Sequence, residues 1–275
     1  MKNFLQECEP PFFDLQSPTL KVYATRDCSI HTVSLDDAFR VAGEHMPNLN
    51  SVDIVINQDY VLKDDYSLEE NSRNLLLSAD VLKQFLEKMR TKLVSFSFRL
   101  DDCCWEEFKA MTDRCMALLP LGTMPNLKKV DLTNFGFDDI NTLTSCLSTG
   151  LQSLNLVYLK MGAMLEWNTS EMDALVDKLS QLTSLVSLNL ADSAITDEHL
   201  MVLLPKLKVI RYLDVSGRFG NSGIVGGPTS DSQLSDLGLK AIAESCPEIL
   251  SCCKLSAQDN NSWDQNSATE MPEHN

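Results

Sequence analysis

Cysteine and histidine are the residues of this sequence that could bind a metal ion or act as nucleophile and base. Cys28 and His31 have the spacing of one ligand pair, but no second pair completes a site. Cys103, Cys104 and Cys115 do not make a cluster on one helix, because adjacent helical residues point to different faces. The four histidines are scattered at His31, His45, His199 and His274. We therefore expect no catalytic residue, no metal ion and no cofactor.

Two further segments have the composition of a functional motif but lack its diagnostic residues. Residues 220–227 are rich in glycine, as phosphate-binding loops are, but the Gly-Lys-Ser/Thr ending is missing. We expect a flexible loop there. Trp263 lies in a polar tail, where it is either an aromatic anchor for a partner or an ordinary tail residue.

The charge balance narrows the class of partner. The 275 residues include 23 Lys and Arg against 39 Asp and Glu, giving a formal net charge of −16. A chain this acidic repels phosphate backbones and anionic lipids, so we expect no nucleic acid and no membrane as partner. The only adjacent basic pair, Lys128 and Lys129, is too small to form a basic patch. The expected partner is another protein with a basic or neutral surface.

Composition and cysteine usage indicate a folded protein of the cytoplasm or nucleus. Hydrophobic residues make up 44% of the chain, a value typical of globular proteins. The apolar runs are far shorter than the roughly 20 residues that span a bilayer, and the amino terminus lacks a secretory signal. The odd number of cysteines, nine, argues against a disulfide framework.

An internal repeat shows which elements hold the polar residues. Each copy has an aliphatic residue at its first position and apolar residues at its fourth and sixth positions. Six clear copies begin at Leu49, Leu93, Leu127, Leu151, Leu185 and Ile210. A weaker copy lies at residues 20–24. A last copy at 250–255 fits the phrase only if its register slips by one residue after Pro247. This alternation predicts strands with one buried face.

Helical segments lie between successive copies. Parallel neighbouring strands need a long crossover, and each interval supplies an amphipathic stretch. Three of these stretches follow the capping residues Ser34, Ser78 and Ser170. The other predicted helices cover residues 104–119, 138–147, 196–204 and 235–245. The copies begin 44, 34, 24, 34 and 25 residues apart, so several exceed the usual length of roughly 20–29 residues and carry insertions.

The repeated phrase is the strand phrase of a leucine-rich repeat, L-x-x-L-x-L. Residues 234–249, LSDLGLKAIAESCPEI, resemble the helix unit of the cysteine-containing subclass found in F-box/LRR substrate receptors of ubiquitin ligases. The resemblance implies an α/β fold, a leucine-rich-repeat solenoid shaped as a horseshoe or arc. Its parallel sheet would be concave and its helices convex, in about six to eight irregular repeats. It also implies protein binding, with ubiquitin-ligase subunits among the partners.

The boundaries of the repeat region follow from the same copies. We expect one leucine-rich-repeat domain over residues 1–255, with clear repeats at 49–249, and a disordered polar tail at 256–275. The sequence departs from the subclass in two places. The residue that ends the phrase is usually Asn or Cys, and only Asn57 matches. No F-box is recognisable before the first copy.

Residues between the buried positions of each phrase point out of the concave face. We expect this face to bind the partner through Asp53, Arg99, Lys129, Asp131, Asn155, Asn189, Tyr212 and Asp214. Most side chains on this face are small or acidic, which favours a basic or hydrogen-bonding element of the partner. The alternative is a merely solvated sheet face, with binding by the inserted loops.

Two other functions are compatible with such repeats. Ran-type activators of GTP hydrolysis share the helix-bearing architecture, but they would need a polar or basic patch at the sheet rim, which is not evident in the sequence. Ribonuclease inhibitors use an acidic surface against basic enzymes, but the irregular repeat lengths make this reading weaker. We therefore predict a binding module or adaptor and not an enzyme.

Overall fold

Strands and helices alternate along the residues that the computed structural model describes, which are 18–24, 35–57, 77–101, 112–137, 139–157, 160–161, 169–191, 193, 195–216 and 235–252. The strands are β1 (Thr19–Ala24), β2 (Ser51–Asn57), β3 (Ser95–Asp101), β4 (Lys129–Asp131), β5 (Gly136–Phe137), β6 (Ser153–Asn155), β7 (Lys160–Met161), β8 (Ser187–Asn189), β9 (Tyr212–Asp214) and β10 (Ser251–Cys252). The helices are α1 (Leu35–His45), α2 (Ala79–Lys88), α3 (Thr112–Ala117), α4 (Ile140–Cys146), α5 (Thr169–Ser180), α6 (Asp197–Leu203) and α7 (Asp236–Ser245). Short 3-10 segments, Leu119–Thr123 and Leu204–Lys206, follow α3 and α6. Within these residues, no helix is long and apolar enough to cross a membrane.

Eight strands form one parallel sheet in the order β1-β2-β3-β4-β6-β8-β9-β10. Equivalent places of the repeated phrase lie side by side across it. The middle apolar residues, for example, pair in the order Val52, Phe96, Val130, Leu154, Leu188 and Leu213. The predicted parallel sheet is therefore confirmed, and the weak copy at residues 20–24 is β1, paired with β2. A separate parallel pair, β5 with β7, was not predicted.

The last strand corrects one expectation from the sequence. Ser251 of β10 pairs with Tyr212, so Ile249, and not Leu250, holds the first apolar place of the final phrase. The Leu250 N–H donates to the Arg211 carbonyl at 2.8 Å, as the equivalent N–H groups do in earlier phrases, and this ladder fixes the register. The expected slip by one residue is wrong. Leu250 is 67% exposed, whereas Ile249 packs against the core.

The apolar places of the phrases form a core between the sheet and a layer of helices. Each helix packs on its successor from α1 to α7. Phe39 and Phe85 meet edge to face with ring centroids 4.9 Å apart, and Phe98 and Phe135 do so at 5.1 Å. All four rings are buried, and burial of each contributes roughly 1.5–3 kcal/mol. The helices thus cover one face of the sheet and leave the alternating side chains on its other face.

Capping side chains set the helix starts, with some differences from the sequence prediction. Ser78 and Ser235 are N-caps whose hydroxyls accept a backbone N–H of the first turn. The helix expected from residue 138 starts two residues late, at Ile140, because Asp139 is the N-cap that reaches a first-turn N–H. Ser170 is not an N-cap, since α5 already begins at the preceding residue. Ser34 and residues 104–111 lie outside the described residues.

Carboxylates in the first turn of one helix also hold the start of the next helix. Asp36 of α1 accepts the Ser78 N–H at 2.7 Å. Asp197 of α6 accepts the Ser235 N–H at 3.1 Å and, through its second oxygen, the Ser235 hydroxyl. These bonds satisfy helix-terminal N–H groups that have no partner within their own helix. They fix the helix N-termini along the edge where the strands end.

His199 forms a variant of the same connection between α5 and α6. Its Nδ1 accepts the Thr196 N–H at 3.1 Å, and the Thr196 hydroxyl accepts the His199 N–H in return. This is a capping box in which histidine stands in the place usually held by Glu or Gln. Nε2 lies 3.2 Å from Asp173 of α5. In the sequence His199 is one of four scattered histidines, and the spacing Thr-x-x-His is the signal of this capping box.

Candidate partner-binding face

The face of the main sheet away from the helices, called here the open face, carries a groove of about 610 Å³. Six side chains that the sequence predicted as partner contacts line it: Asp53, Arg99, Lys129, Asp131, Asn155 and Asn189. Small hydroxyl residues separate them, namely Thr19, Ser51, Ser95, Ser97, Ser153 and Ser187. Tyr212 and Asp214 lie on the next strand, β9. The structure therefore brings the predicted residues onto one surface, and their contact with a partner stays a prediction.

Four of these predicted contact residues hold the backbone at the ends of their own strands. They are Asp131, Asn155, Asn189 and Asp214. Each side-chain oxygen accepts the backbone N–H two residues further on, at distances between 3.0 and 3.2 Å. The two aspartates also accept a hydroxyl, from Thr133 and Ser216, at 2.7 Å in both cases. Oxygens that the sequence assigned to a partner are thus engaged within the chain.

Strand length explains why these four residues have this role. β4, β6, β8 and β9 are three residues long, so the N–H two residues beyond the polar side chain lies outside the strand. A side-chain oxygen then supplies the acceptor. β2 and β3 continue for seven residues each and keep their pairing past this place. Asp53 and Ser97, the equivalent residues on those strands, do not have this role.

Asp53 instead forms an ion pair with Arg99 on the neighbouring strand. The Arg99 Nη2 atom lies 2.9 Å from one carboxylate oxygen of Asp53 and 3.1 Å from the other. The side chains are 37% and 21% exposed, for Arg99 and Asp53 respectively, so water screens the pair in part. Such a pair contributes at most about 1 kcal/mol. Its main effect is to cancel the charge of one of the two carboxylates in the groove.

The groove is not acidic, although the chain is. Its lining includes three cations, Lys21, Arg99 and Lys129, and two carboxylates, Asp53 and Asp131. Their formal sum is 3 − 2 = +1, in a chain whose net charge is −16. Lys129 is exposed, and no carboxylate of the described residues forms an ion pair with it. The surplus negative charge must therefore lie elsewhere.

Among the described residues, carboxylates lie along the carboxyl edge, the edge of the sheet where the strands end and the helices begin. The first turns of α1, α2 and α4 to α7, together with the N-caps that the structure describes, contain Asp36, Asp37, Asp80, Asp139, Glu171, Asp197, Glu198 and Asp236. They contain no Lys or Arg. Carboxylates are favoured at helix N-termini because the helix dipole places partial positive charge there.

The opposite edge, where the strands begin, is called here the amino edge, and it is basic. Seven connections return the chain from the helices to it, at residues 46–50, 89–94, 118–128, 147–152, 181–186, 204–211 and 246–250. They contain six Lys or Arg residues and one carboxylate, Glu248. With the first residue of β4, the cations of the amino edge are Arg90, Lys92, Lys128, Lys129, Lys206, Lys208 and Arg211. The sequence shows one adjacent basic pair, and the further cations join it because parallel strands bring separate connections to one edge.

The other residues considered as sites show no arrangement for catalysis or metal binding in the described part of the chain. Cys115, Cys146 and Cys246 are free and buried. Burial raises the pKa of the Cys146 and Cys246 thiols, which keeps them protonated and unreactive. No group of three or more metal-binding side chains occurs among the described residues. Cys28, His31, Cys103, Cys104, Trp263, residues 220–227 and the tail 256–275 lie outside them.

Comparison with known proteins finds distant structural likenesses. No protein-family profile matches the chain, and no curated protein matches it. Among solved structures, the Rad7 and Elc1 complex of yeast is similar at 15% identity and a TM-score of 0.41, covering 77% of this chain and 51% of that chain. A leucine-rich-repeat protein of Leptospira interrogans is similar at 15% identity and a TM-score of 0.34, covering 64% and 45%. Human 5T4, trophoblast glycoprotein, is similar at 17% identity and a TM-score of 0.35, covering 72% and 59%.

This chain thus spans between 45% and 59% of the length of those three chains. Its own strand register and helix packing, rather than these likenesses, define its fold.

Proposed function

We propose that this chain is a leucine-rich-repeat solenoid that binds a segment of another protein across the open face of its sheet. The groove on that face is the observation that supports this most directly. In solenoids of this kind each repeat contacts only its neighbours, so the sheet becomes a broad surface suited to a macromolecule. The eight paired strands correspond to about eight irregular repeats, with a concave sheet and convex helices.

Partner contacts are assigned to side chains for which no hydrogen bond is seen within the described residues. Lys129, Ser153 and Ser187 lie on the open face and are exposed or half-buried. Tyr212, at the end of the same row, is 47% exposed. Tyrosine is common among the residues that dominate binding energy at protein interfaces. Asp131, Asn155, Asn189 and Asp214 shape the face instead, by holding the ends of its strands.

A finer form of this proposal is substrate recognition within a ubiquitin ligase. It comes from the resemblance of residues 234–249 to the F-box/LRR receptors, in which the repeats bind the substrate. In this form of the proposal, cullin or ligase-adaptor subunits co-purify with the chain from its own cells. Their absence would remove the ligase role and leave a binding module of another pathway.

A steric block of the groove tests binding on the open face. Ser153 and Ser187 pair across neighbouring strands, so Ser153→Tyr with Ser187→Tyr fills the groove without a change in charge, and tyrosine is well tolerated in strands. The matched control is Gln84→Tyr with Ala243→Tyr, at two exposed helix positions. Tagged full-length chains are purified from their native cells, and bound proteins are quantified by mass spectrometry.

We expect the groove variant to lose the specific partners by about tenfold or more, and the helix variant to retain them. Thermal unfolding of both variants checks that they are folded. Partners retained equally by both folded variants would contradict binding on the open face.

A further inference from the structure

We infer that the amino edge and the adjoining row of the groove bind an acidic segment of the partner that also carries apolar side chains. The inference rests on the proposed function and deepens it by naming the chemistry of the partner. It reverses the expectation from net charge, which favoured a basic or neutral partner. Three features of the edge support it: cations that mostly have no carboxylate partner among the described residues, exposed apolar side chains, and the spacing between them.

The cations of the amino edge are largely uncompensated. Lys129, Lys206 and Lys208 are exposed, and none forms an ion pair with a carboxylate of the described residues. Lys92 and Lys128 donate to backbone carbonyls, at 3.5 and 3.4 Å, and neither has a carboxylate partner in the part of the chain that the structure describes. The edge therefore has a local positive potential that a carboxylate would lower.

The one carboxylate of the connections is held loosely. Glu248 lies 3.5 Å from Arg211, and the two side chains are 68% and 53% exposed. A pair this exposed contributes little and exchanges readily with water or with another anion. A carboxylate of the partner can therefore replace Glu248 at Arg211 at small cost.

Apolar side chains are exposed along the same edge. Val94, Val209, Tyr212 and Leu250 are 38%, 44%, 47% and 67% exposed, and they are four of the eight exposed large hydrophobic residues of the described part. The Leu250 N–H donates to the Arg211 carbonyl, and the Lys128 N–H donates to the Val94 carbonyl, so apolar and basic residues are neighbours at two places along the edge. This arrangement fits a segment in which acidic and apolar residues are mixed.

The dimensions fit a short extended segment. The cations and apolar residues extend from β3 to β10, which are five strand spacings apart in the sheet. At about 4.8 Å per spacing the distance is about 24 Å. An extended chain covers it in about seven residues, at roughly 3.3 Å per residue. The segment would cross the strands with carboxylates near Lys129 and Lys208, which lie within this span.

The charge on the carboxyl edge disfavours a long polyanion. Eight carboxylates lie in the helix caps and first turns there, and they repel nucleic acid or an anionic membrane that extends over the molecule. Fixed charges act over roughly 8 Å at physiological ionic strength. A short acidic segment confined to the amino edge remains outside that range, whereas a duplex or a bilayer does not.

The test uses a fluorescein-labelled peptide of about eight residues in which Glu alternates with Leu, and its counterpart with Lys for Glu. Binding to the full chain is measured by fluorescence anisotropy. Lys129→Glu with Lys208→Glu is the variant of the edge. Lys83→Glu with Lys240→Glu, on exposed helix positions, is the control with the same change in net charge. Tyr212→Ala removes the largest exposed apolar side chain without a change in charge.

We expect the acidic peptide to bind and the basic one not to. The edge variant should bind the acidic peptide about tenfold more weakly, the control variant less than about twofold, and added salt should weaken binding. Tyr212→Ala should weaken binding of the acidic peptide, but added salt should weaken the remaining binding as strongly as it does for the wild type. Equal binding to the edge and control variants, or tighter binding of the basic peptide, would overturn the inference. So would a single-stranded oligonucleotide that binds more tightly than the acidic peptide.

The two proposals can fail separately. If the groove block Ser153→Tyr with Ser187→Tyr releases cellular partners while the acidic peptide does not bind, the open face binds by other chemistry and only this inference fails. If the peptide binds the edge and the groove block retains all partners, the open-face proposal fails and the basic edge stands.

Discussion

The polar side chains at the strand ends allow a structural role to be separated from a binding role. Asn155 Oδ1 accepts the Val157 N–H at 3.2 Å. Replacement of Asn155 by alanine removes the acceptor and leaves a half-buried N–H without its partner, which costs about 1 kcal/mol. Asp131 is a charged acceptor of the Thr133 N–H at 3.1 Å, and a hydrogen bond to a charged group is stronger. Asp131→Ala should therefore cost about 2 kcal/mol.

Urea unfolding followed by circular dichroism measures these losses. With a slope of about 2 kcal/mol per molar urea, Asn155→Ala should lower the midpoint by about 0.5 M and Asp131→Ala by about 1 M. Ser153→Ala is the control, because Ser153 lies on the same strand and face as Asn155 and no side-chain hydrogen bond to it is seen among the described residues. Its midpoint should change by less than about 0.25 M.

The reasoning is refuted if Asn155→Ala and Ser153→Ala have the same midpoint. If Asn155→Ala has unchanged stability but loses a cellular partner, Asn155 contacts the partner, as the sequence alone predicts. Loss of stability with partner binding retained would support the structural role.

Two further predictions concern the helix layer. A Cβ on Gly122 would lie 1.8 Å from the Ser145 carbonyl oxygen, so Gly122→Ala must separate the 3-10 segment from α4 at a cost of about 2–3 kcal/mol. Thermal unfolding should show this loss. Gly150→Ala is the control, because a Cβ on Gly150 would lie 3.5 Å from its nearest neighbour, Lys128 Nζ, and this variant should change stability by less than about 0.5 kcal/mol. Equal effects of the two substitutions would contradict the prediction. The pKa of Asp139 is lowered from its ordinary 3.8, chiefly by the Thr142 hydroxyl and also by backbone N–H groups. Its contribution to the free energy of unfolding is therefore complete above about pH 4 and is lost as the pH falls through the lowered pKa. Asp139→Ala should therefore cost about 1 kcal/mol at pH 7 and less at pH 3, and a difference from wild type that does not change with pH would be inconsistent with this role.

The strands were predictable because their signal is local and repeated. Each phrase places apolar residues at fixed places, and a sheet that buries those residues has one register. The last strand shows the limit of this signal. Leu250 and Ile249 are both apolar, so the side-chain pattern does not distinguish them. The backbone hydrogen bonds between β9 and β10 place Ile249 against the core. Helix starts were predicted within a residue or two where a capping side chain reached a first-turn N–H, as at Ser78.

The candidate face was predictable in position but not in the role of its residues. Alternation along each strand determines that Asp131 and Asn155 lie on the open face. Whether such a side chain is available to a partner depends on where the strand ends, because a short strand needs an acceptor for the N–H beyond it. Asp53 is on a longer strand and pairs with Arg99 instead. Strand length is set by how far neighbouring strands stay paired, which is a tertiary property.

The amount of charge, the repeat and the alternation of buried and open side chains follow from the sequence alone. Where the charges of the described residues lie depends on the tertiary structure. Cations from connections as far apart in sequence as those of Lys92 and Lys208 lie along the same amino edge because parallel strands all begin on the same side. Carboxylates gather on the opposite edge because every helix begins there and its dipole favours them. The net charge is a sum over the whole chain, so it does not reveal a basic edge.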